Sequence, residues 1–272
     1  MDDFKGRVAV VTGGGSGIGR AMALAFAREG AKVVLADLDR GGMDRVGSEI
    51  RDGGGECLGV ETDVTSLATV ENLRQHTVER FGAVHIVCNN AGVGVFGPLA
   101  EATHKDWQWV MNVNFWGVVH GIEVFLPRLI EQKQGGHIVN TASMAGLVGM
   151  PGLGVYCASK FAVVGLTESL HRELAGTGIG ASVLCPMIVN TQINSSERNR
   201  PKELQDPGAS KASVSDVAMT VSRVIEPAEV AERVVAAIRA NSLYILTHQE
   251  SRDILKHRAA RLDRAAERYG TA

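Results

Sequence analysis

Short apolar runs recur along the chain, each followed by a segment with helical spacing. The first, residues 7–12 (RVAVVT), is almost unbroken Val and Ala. A strand wet on one face would alternate polar and apolar, so this one is read as buried on both faces. Similar runs lie at 32–37, 57–61, 84–88, 137–141, 181–185 and 243–246. Between them the spacing predicts helices over about 20–30, 40–52, 65–81, 103–133 with a break before its middle, 156–175, and from 227 onward. Pro227 and Glu229 suit the first turn of that last helix. Glycines punctuate the pattern at Gly30, Gly53 to Gly55, and Gly135-Gly136. Seven buried strands alternating with helices predict an α/β fold, a doubly wound parallel sheet with helices on both faces. Such sheets bind ligands beyond the carboxyl ends of their strands.

Two segments depart from the alternation. Residues 190–226 are polar and irregular, too long for a plain connection, and read as a functional lid or a mobile insertion. Residues 252–268 are Arg-rich and amphipathic, read as a solvated helix in preference to a site for an anionic partner. The whole of 1–272 is read as one catalytic domain carrying a substrate loop at about 190–226 and a helical tail at about 250–272.

Composition narrows the function classes. A hydrophobic fraction of 45% and a charged fraction of 21% supply a core and exclude global disorder. Thirty-two glycines in 272 residues, with 5% aromatics, favour tight turns and close helix–sheet contacts. A net charge of −2 gives no footprint for nucleic acid. No apolar run reaches 18 residues, so no membrane span is expected. The acidic start Met1-Asp2-Asp3 lacks the basic and apolar regions of a signal peptide. Cys57, Cys88, Cys157 and Cys185 form no C-x-x-C pair, which fits reduced thiols and a cytoplasmic location. His85, His120 and His171 share no spacing with acids or Cys, so no metal is assigned.

The chemistry begins at the first turn. Thr12-Gly13-Gly14-Gly15-Ser16-Gly17-Ile18-Gly19 joins a strand to a helix, with Ile18 departing from the strict G-x-G-x-x-G pattern. Glycines at 13, 17 and 19 bare the backbone where a pyrophosphate must approach, and the helix N-terminus beyond offers free N–H groups. Asp37 ends the second strand, twenty residues after Gly17, the separation of a carboxylate that holds the adenosine ribose. It would repel a 2′-phosphate. Neither Ser16 nor Leu38 offers a compensating charge, so NAD is favoured over NADP, with Arg40 the one cation within reach of a phosphate. A turn-capping role for Asp37 stays open. Asp63, after the third strand, suits either the adenine amino group or a helix cap.

With these residues in place the chain resembles the short-chain dehydrogenase/reductase family. The cofactor turn matches as Thr12-Gly13-x-x-x-Gly17-x-Gly19, and Asn89-Asn90-Ala91-Gly92 matches the stabilising motif after the fourth strand. Asn114, Ser143, Tyr156 and Lys160 match the catalytic set, with Tyr156-x-x-x-Lys160 in the family spacing. The likeness covers about residues 5–250 and implies a Rossmann-like fold. It implies that Gly13, Ser16, Gly17, Ile18, Gly19, Asp37, Leu38, Asp63, Val64, Asn90, Ala91, Gly92, Tyr156, Lys160, Pro186, Val189 and Thr191 hold the cofactor. Asn114 would kink its helix and hold a relay water, a role implied by the family alone. On a helix, Tyr156 and Lys160 share a face, and a nearby ammonium should draw the phenol below its usual ~10 toward working pH. The bland alternative is a surface helix with a snorkelling Lys. Ser143 would hydrogen-bond the substrate oxygen as charge develops.

The family usually has Pro-Gly after the sixth strand, where this chain has Pro186-Met187. The Met187 side chain is expected to intrude on the substrate pocket, alongside Met144, Leu153, Val93 and Phe96. That apolar lining points to a neutral, hydrophobic secondary alcohol or ketone. Trp107, Trp109 and Trp116 read as core or subunit contacts, and the family implies a homo-oligomer, a tetramer or dimer. The expected function is hydride transfer between NAD(H) and a CH–OH group with Tyr156 as general acid/base. An NADP-linked carbonyl reductase and a non-catalytic dinucleotide-binding regulator are the alternatives.

Overall fold

The computed structural model describes residues 1, 3–205 and 223–269. Seven strands form one sheet: β1 (Val8–Thr12), β2 (Lys32–Asp37), β3 (Cys57–Glu61), β4 (Ile86–Asn89), β5 (Gly136–Thr141), β6 (Ile179–Cys185) and β7 (Tyr244–Leu246). Their order is β3-β2-β1-β4-β5-β6-β7, with every neighbouring pair parallel. Strand order reverses between β1 and β4, which opens a crevice at their carboxyl ends.

The apolar runs divide by alternate residues between two cores. Ala9, Val11, Val33 and Leu35 face one core, with Phe26 from helix α1 (Gly17–Arg28), Ile50 from α2 (Arg40–Asp52) and Val234 from α7 (Pro227–Ala240). Val8, Val10, Val34 and Ala36 face the other, with Leu73 from α3 (Leu67–Phe81), Phe125 from α5 (Gly117–Gln132) and Leu170 from α6 (Gly154–Glu173). Burial on both faces explains why these strands show no polar alternation. Each fully buried Val or Leu contributes roughly 1.5–3 kcal/mol.

The long helical stretch is two helices. Helix α4 (His104–Met111) starts at a reciprocal cap between Thr103 and Asp106. A five-residue π turn, Asn112–Trp116, separates it from α5, supplying the anticipated break. The described residues of 190–226 are only partly irregular: short 3-10 turns occupy Ile193–Asn199 and Lys202–Leu204, and Ile225 pairs with Val189 in a parallel bridge. Residues 206–222 of that insertion, on which part of the lid reading falls, lie outside the described residues. Helix α8 (Ser251–Glu267) forms the tail, with only Ser251 buried. Among the described residues no helix is long and apolar enough to cross a membrane, and no group of His, Cys, Asp or Glu could hold a metal ion.

Candidate active site

The turn after β1 is built by contacts behind it. Thr12 Oγ1 accepts from the backbone N–H of Asn90 (2.8 Å) and Ala91 (3.0 Å) and donates to the Cys88 carbonyl. Asn90 Nδ2 donates to the Thr12 carbonyl at 3.0 Å. Asn89 bridges to Asn140 on β5 at 2.9 Å. The Asn89-Asn90 pair therefore locks the ends of β1, β4 and β5 together. Gly13 has φ +66 and Gly17 has φ +51, in the left-handed region where side chains are disfavoured. A Cβ on Gly19 would stand 2.0 Å from the Gly13 carbonyl oxygen, so only glycine lets α1 start so close beneath the turn.

In front of the turn lies a cleft of about 510 Å³, within the ~300–1,000 Å³ range of ligand sites. Gly13, Ser16, Gly17, Ile18, Asp37, Leu38, Asp63, Val64, Asn90, Ala91, Gly92, Lys160 and Thr191 line it. Gly19 does not; it acts from behind by permitting the close helix start. Tyr156, Pro186 and Val189 are also outside the lining. The Pro186 carbonyl accepts from the Met144 N–H at 2.8 Å, and Val189 is in the bridge to Ile225. Thr62, Trp109, Thr141, Gln192, Ser196 and Arg198 line the cleft without having been singled out for it in the sequence. Only the fold brings them there; Trp109, read as core, is both buried and at the cleft wall.

Two acids, Asp37 and Asp63, serve local turns and the cleft together. Asp37 accepts from the N–H of Gly15 (2.9 Å) and of Asp39 (3.0 Å), the capping role, while facing the cleft. Asp63 accepts from the backbone and hydroxyl of Thr65, at 2.9 and 2.8 Å, and also lines the cleft. Arg40 is ion-paired to Glu61, the residue beside Asp37 in the β2–β3 register.

These features fit a dinucleotide. A bare backbone turn leads into a helix N-terminus, as a pyrophosphate requires. A fixed carboxylate stands where ribose hydroxyls would donate, and the cleft continues to Lys160 at its other end.

That other end is built by β5, β6 and α6. Ser143 follows β5; its hydroxyl accepts from the Ala145 N–H (3.2 Å) and donates to the Pro186 carbonyl (3.3 Å). The 3-10 turn after it, Met144–Gly146, lies against α6 so closely that a Cβ on Gly146 would be 2.6 Å from the Lys160 carbonyl. This brings Ser143 to Tyr156. Lys160 is 2% exposed and donates to the Thr141 carbonyl at 2.9 Å, with its Nζ 5.5 Å from the centre of the Tyr156 ring. The snorkelling alternative is thus set aside: the ammonium points inward.

Burial holds the Lys160 ammonium down, to about 8. Burial also pushes the Tyr156 phenol up, to about 12, against the lowering effect of a hydrogen bond with Ser143. This corrects the anticipated direction for Tyr156. The reason is that desolvation penalises both charged forms, and the Lys160 ammonium is spent on a carbonyl rather than the phenol oxygen.

Asn114 sits within the π turn, fully buried. Its Oδ1 accepts from the Val93 N–H (2.8 Å), and its Nδ2 donates to the Val93 carbonyl (2.9 Å) and Ser159 Oγ (3.1 Å). Ser159 Oγ in turn donates to the Tyr156 carbonyl. Asn114 therefore braces both the loop after β4 and the first turn of α6.

The Met187 sulfur accepts from Ser251 Oγ at 3.8 Å, at the buried start of α8. Phe96, Ala145, Leu153 and Cys157 form a buried apolar cluster with Met150, Tyr156 and Phe161, and the Phe96 ring lies 6.2 Å from that of Tyr156. Met144 is buried, and Val93 packs with Trp109 and Val155 while also lining the cleft.

Known proteins resemble the chain in sequence and in fold. Residues 7–202 match the family model of the short chain dehydrogenases. The chain is 34% identical over 273 residues to a CLA biosynthesis dehydrogenase/reductase of Lactiplantibacillus plantarum, covering 96% of this chain and 95% of that protein. It is 36% identical over 228 residues to a meso-2,3-butanediol dehydrogenase of Serratia marcescens, covering 84% and 85%. The crystal structure of a short-chain dehydrogenase/reductase from Burkholderia phymatum, in complex with NAD, superposes with a TM-score of 0.91 at 42% identity, covering 97% of each chain. Family match, sequence identity and superposition agree, and the chain belongs to the short-chain dehydrogenase/reductase family of oxidoreductases acting on CH–OH groups.

Proposed function

We propose that this enzyme moves a hydride between NAD(H) and a neutral, hydrophobic secondary alcohol or ketone, with Tyr156 as general acid/base. The carrying observation is that Lys160 and Asp37 line one cleft, with the Tyr156 ring 5.5 Å from Lys160 Nζ and its phenol hydrogen-bonded to Ser143. The NAD preference rests on the Asp37 carboxylate and on Arg40 being paired with Glu61. The relative from Burkholderia phymatum, solved with NAD, supports it. The reading takes residues 1–272 as one catalytic unit.

When bound, the nicotinamide supplies the hydride acceptor or donor. The chain's residues would do the rest. Gly13, Ser16, Gly17 and Ile18 would take the pyrophosphate, Asp37 and Leu38 the adenosine ribose, and Asp63 and Val64 the adenine. Asn90, Ala91, Gly92 and Thr191 would frame the nicotinamide half, with Lys160 on its ribose. Ser143 Oγ orients the substrate oxygen. Tyr156 OH gives a proton to that oxygen in reduction and takes it back in oxidation. At neutral pH a phenol near 12 is fully protonated, ready as the acid of the reductive direction. Oxidation needs its pKa lowered, which a positive charge brought within a few Å would do. The buried ammonium of Lys160 is already on that side of the ring. Asn114 holds the α6 turn that carries Tyr156.

The substrate reading rests on the apolar cluster around Tyr156, to which Phe96, Leu153 and Met150 contribute. Exposed Trp116 and Ile130 on the helices flanking the sheet support a homo-oligomer, dimer or tetramer. Four free thiols, three of them buried, support a cytoplasmic location.

The test is absorbance at the NADH band with a panel of secondary alcohols and ketones and both NAD and NADP. Turnover of neutral alcohols with NAD is the expected outcome. Preference for NADP, or for anionic substrates alone, would overturn the corresponding part of the reading.

A further inference from the structure

One charged side chain with no part in the chemistry above is wholly buried. Arg200 follows the 3-10 turn Ile193–Asn199, and its side chain is 0% exposed. Its guanidinium uses all three nitrogens: Nη2 donates to Asp106 Oδ1 at 2.7 Å, Nη1 to Glu197 Oε1 at 3.0 Å, and Nε to the Leu204 carbonyl at 2.8 Å. It also stacks on Trp109, 5.0 Å from the ring centre. Asp106 is 3% exposed and belongs to the cap of α4. Burial works to raise its pKa, but donors from Thr103 and Arg200 outweigh that and hold it ionised.

An isolated buried charge is costly, and a paired one breaks even only with good geometry and full hydrogen bonding. A pair 94 residues apart, completed on every nitrogen, fixes one segment against another. The segments are informative. Trp109 forms part of the cleft wall, and so do Gln192, Ile193, Ser196 and Arg198 from the strap that Arg200 ends. Two weaker ties lie beside the pair. Ser196 Oγ accepts from the Gly94 N–H at 3.1 Å, and Lys105 Nζ donates to the Gln205 carbonyl at 3.0 Å.

We propose that Arg200, clasped by Asp106 and stacked on Trp109, is a positioning residue that fastens residues 192–204 over the cleft and so sets how long a bound dinucleotide is retained. The inference rests on the dinucleotide reading of that cleft but not on turnover. The clasp touches no reacting atom. Its effect is on retention, because releasing it frees one wall of the cleft while leaving Gly13 to Gly17, Asp37 and Tyr156 in place.

The experiment measures NADH dissociation by stopped-flow fluorescence, and amide hydrogen exchange of peptides spanning 192–205, in Arg200→Met, Arg200→Lys and the wild type. Arg200→Lys keeps the charge but loses the fork geometry, so it guards against a collapse of folding in the Met variant. Both variants should exchange faster in 192–205 and release NADH about tenfold faster or more, Lys less than Met, a scale typical of a truncated buried charge pair. Faster exchange with unchanged NADH release would overturn the proposal, as would unchanged exchange. If release is unchanged while Tyr156→Phe abolishes turnover, the clasp is refuted and the hydride-transfer reading stands. A wild type that binds no NADH refutes both.

Discussion

Gly19→Ala tests how the cofactor turn is built. The added Cβ would stand 2.0 Å from the Gly13 carbonyl oxygen, 2.7 Å from its carbon and 2.8 Å from Asn90 Nδ2. Carbon–oxygen contacts normally begin near ~3.3 Å, so the turn or the start of α1 must move by more than about 1 Å. Neither neighbour yields easily: Gly13 is backbone, and Asn90 is tied to Thr12 and Thr141. Overpacking of this kind costs ~1–3 kcal/mol, or roughly 2–12 °C in Tm at ~2–4 °C per kcal/mol. The functional loss should be larger than the stability loss. A ~1 Å misplacement of a positioning element can lower rate by ~10²-fold, and the displaced atoms are those that frame the cleft. NADH titration by fluorescence and thermal melting would be run together, with Gly165→Ala as control. Gly165 lies in α6 with nothing within 4 Å of its added Cβ, and that variant should bind NADH normally. Wild-type NADH affinity in Gly19→Ala would refute the close-approach argument.

Three further outcomes follow from the same geometry. Asp37→Ser with Leu38→Arg removes the carboxylate and adds a cation at the exposed cleft edge; the ratio of kcat/KM for NADP to that for NAD should rise by about 10² or more, since a like-charge contact costs several kcal/mol. Lys160→Met should abolish turnover yet raise Tm at pH 7: bringing a Lys from 10.5 to about 8 by burial corresponds to about 3 kcal/mol of native-state penalty, partly offset by the lost bond to Thr141. Between about 8 and 10.5 the unfolded chain holds the Lys160 proton and the native one does not, so stability from this residue rises with pH across that window; urea melts at pH 7.5 and 9.5 should show this gain in the wild type and not in Lys160→Met.

Much of this molecule was legible in its sequence, for identifiable reasons. Strands buried on both faces leave continuous apolar runs, so β2 and β3 are placed to the residue and the others within about two. The glycine turn, Asp37 and the Tyr156–Lys160 pair were readable because their spacing is local. What escaped depends on contacts between distant segments. The Arg200–Asp106 clasp joins positions far apart in the chain. The carbonyl that accepts from Lys160 comes from β5, not from α6. Met187 turns toward Ser251 because α8 passes there. The raised phenol of Tyr156 reflects how deeply α6 is packed, which spacing cannot report.

The central claim is that the Tyr156 hydroxyl moves the proton while a separate cleft holds the dinucleotide. The most direct measurement is Tyr156→Phe, with NADH affinity by fluorescence titration and single-turnover hydride transfer followed at the NADH band. The account predicts NADH affinity within a few-fold of the wild type and a loss of turnover by at least about 10², the lower range of general acid/base contributions. Hydride transfer at the wild-type rate in that variant would contradict it.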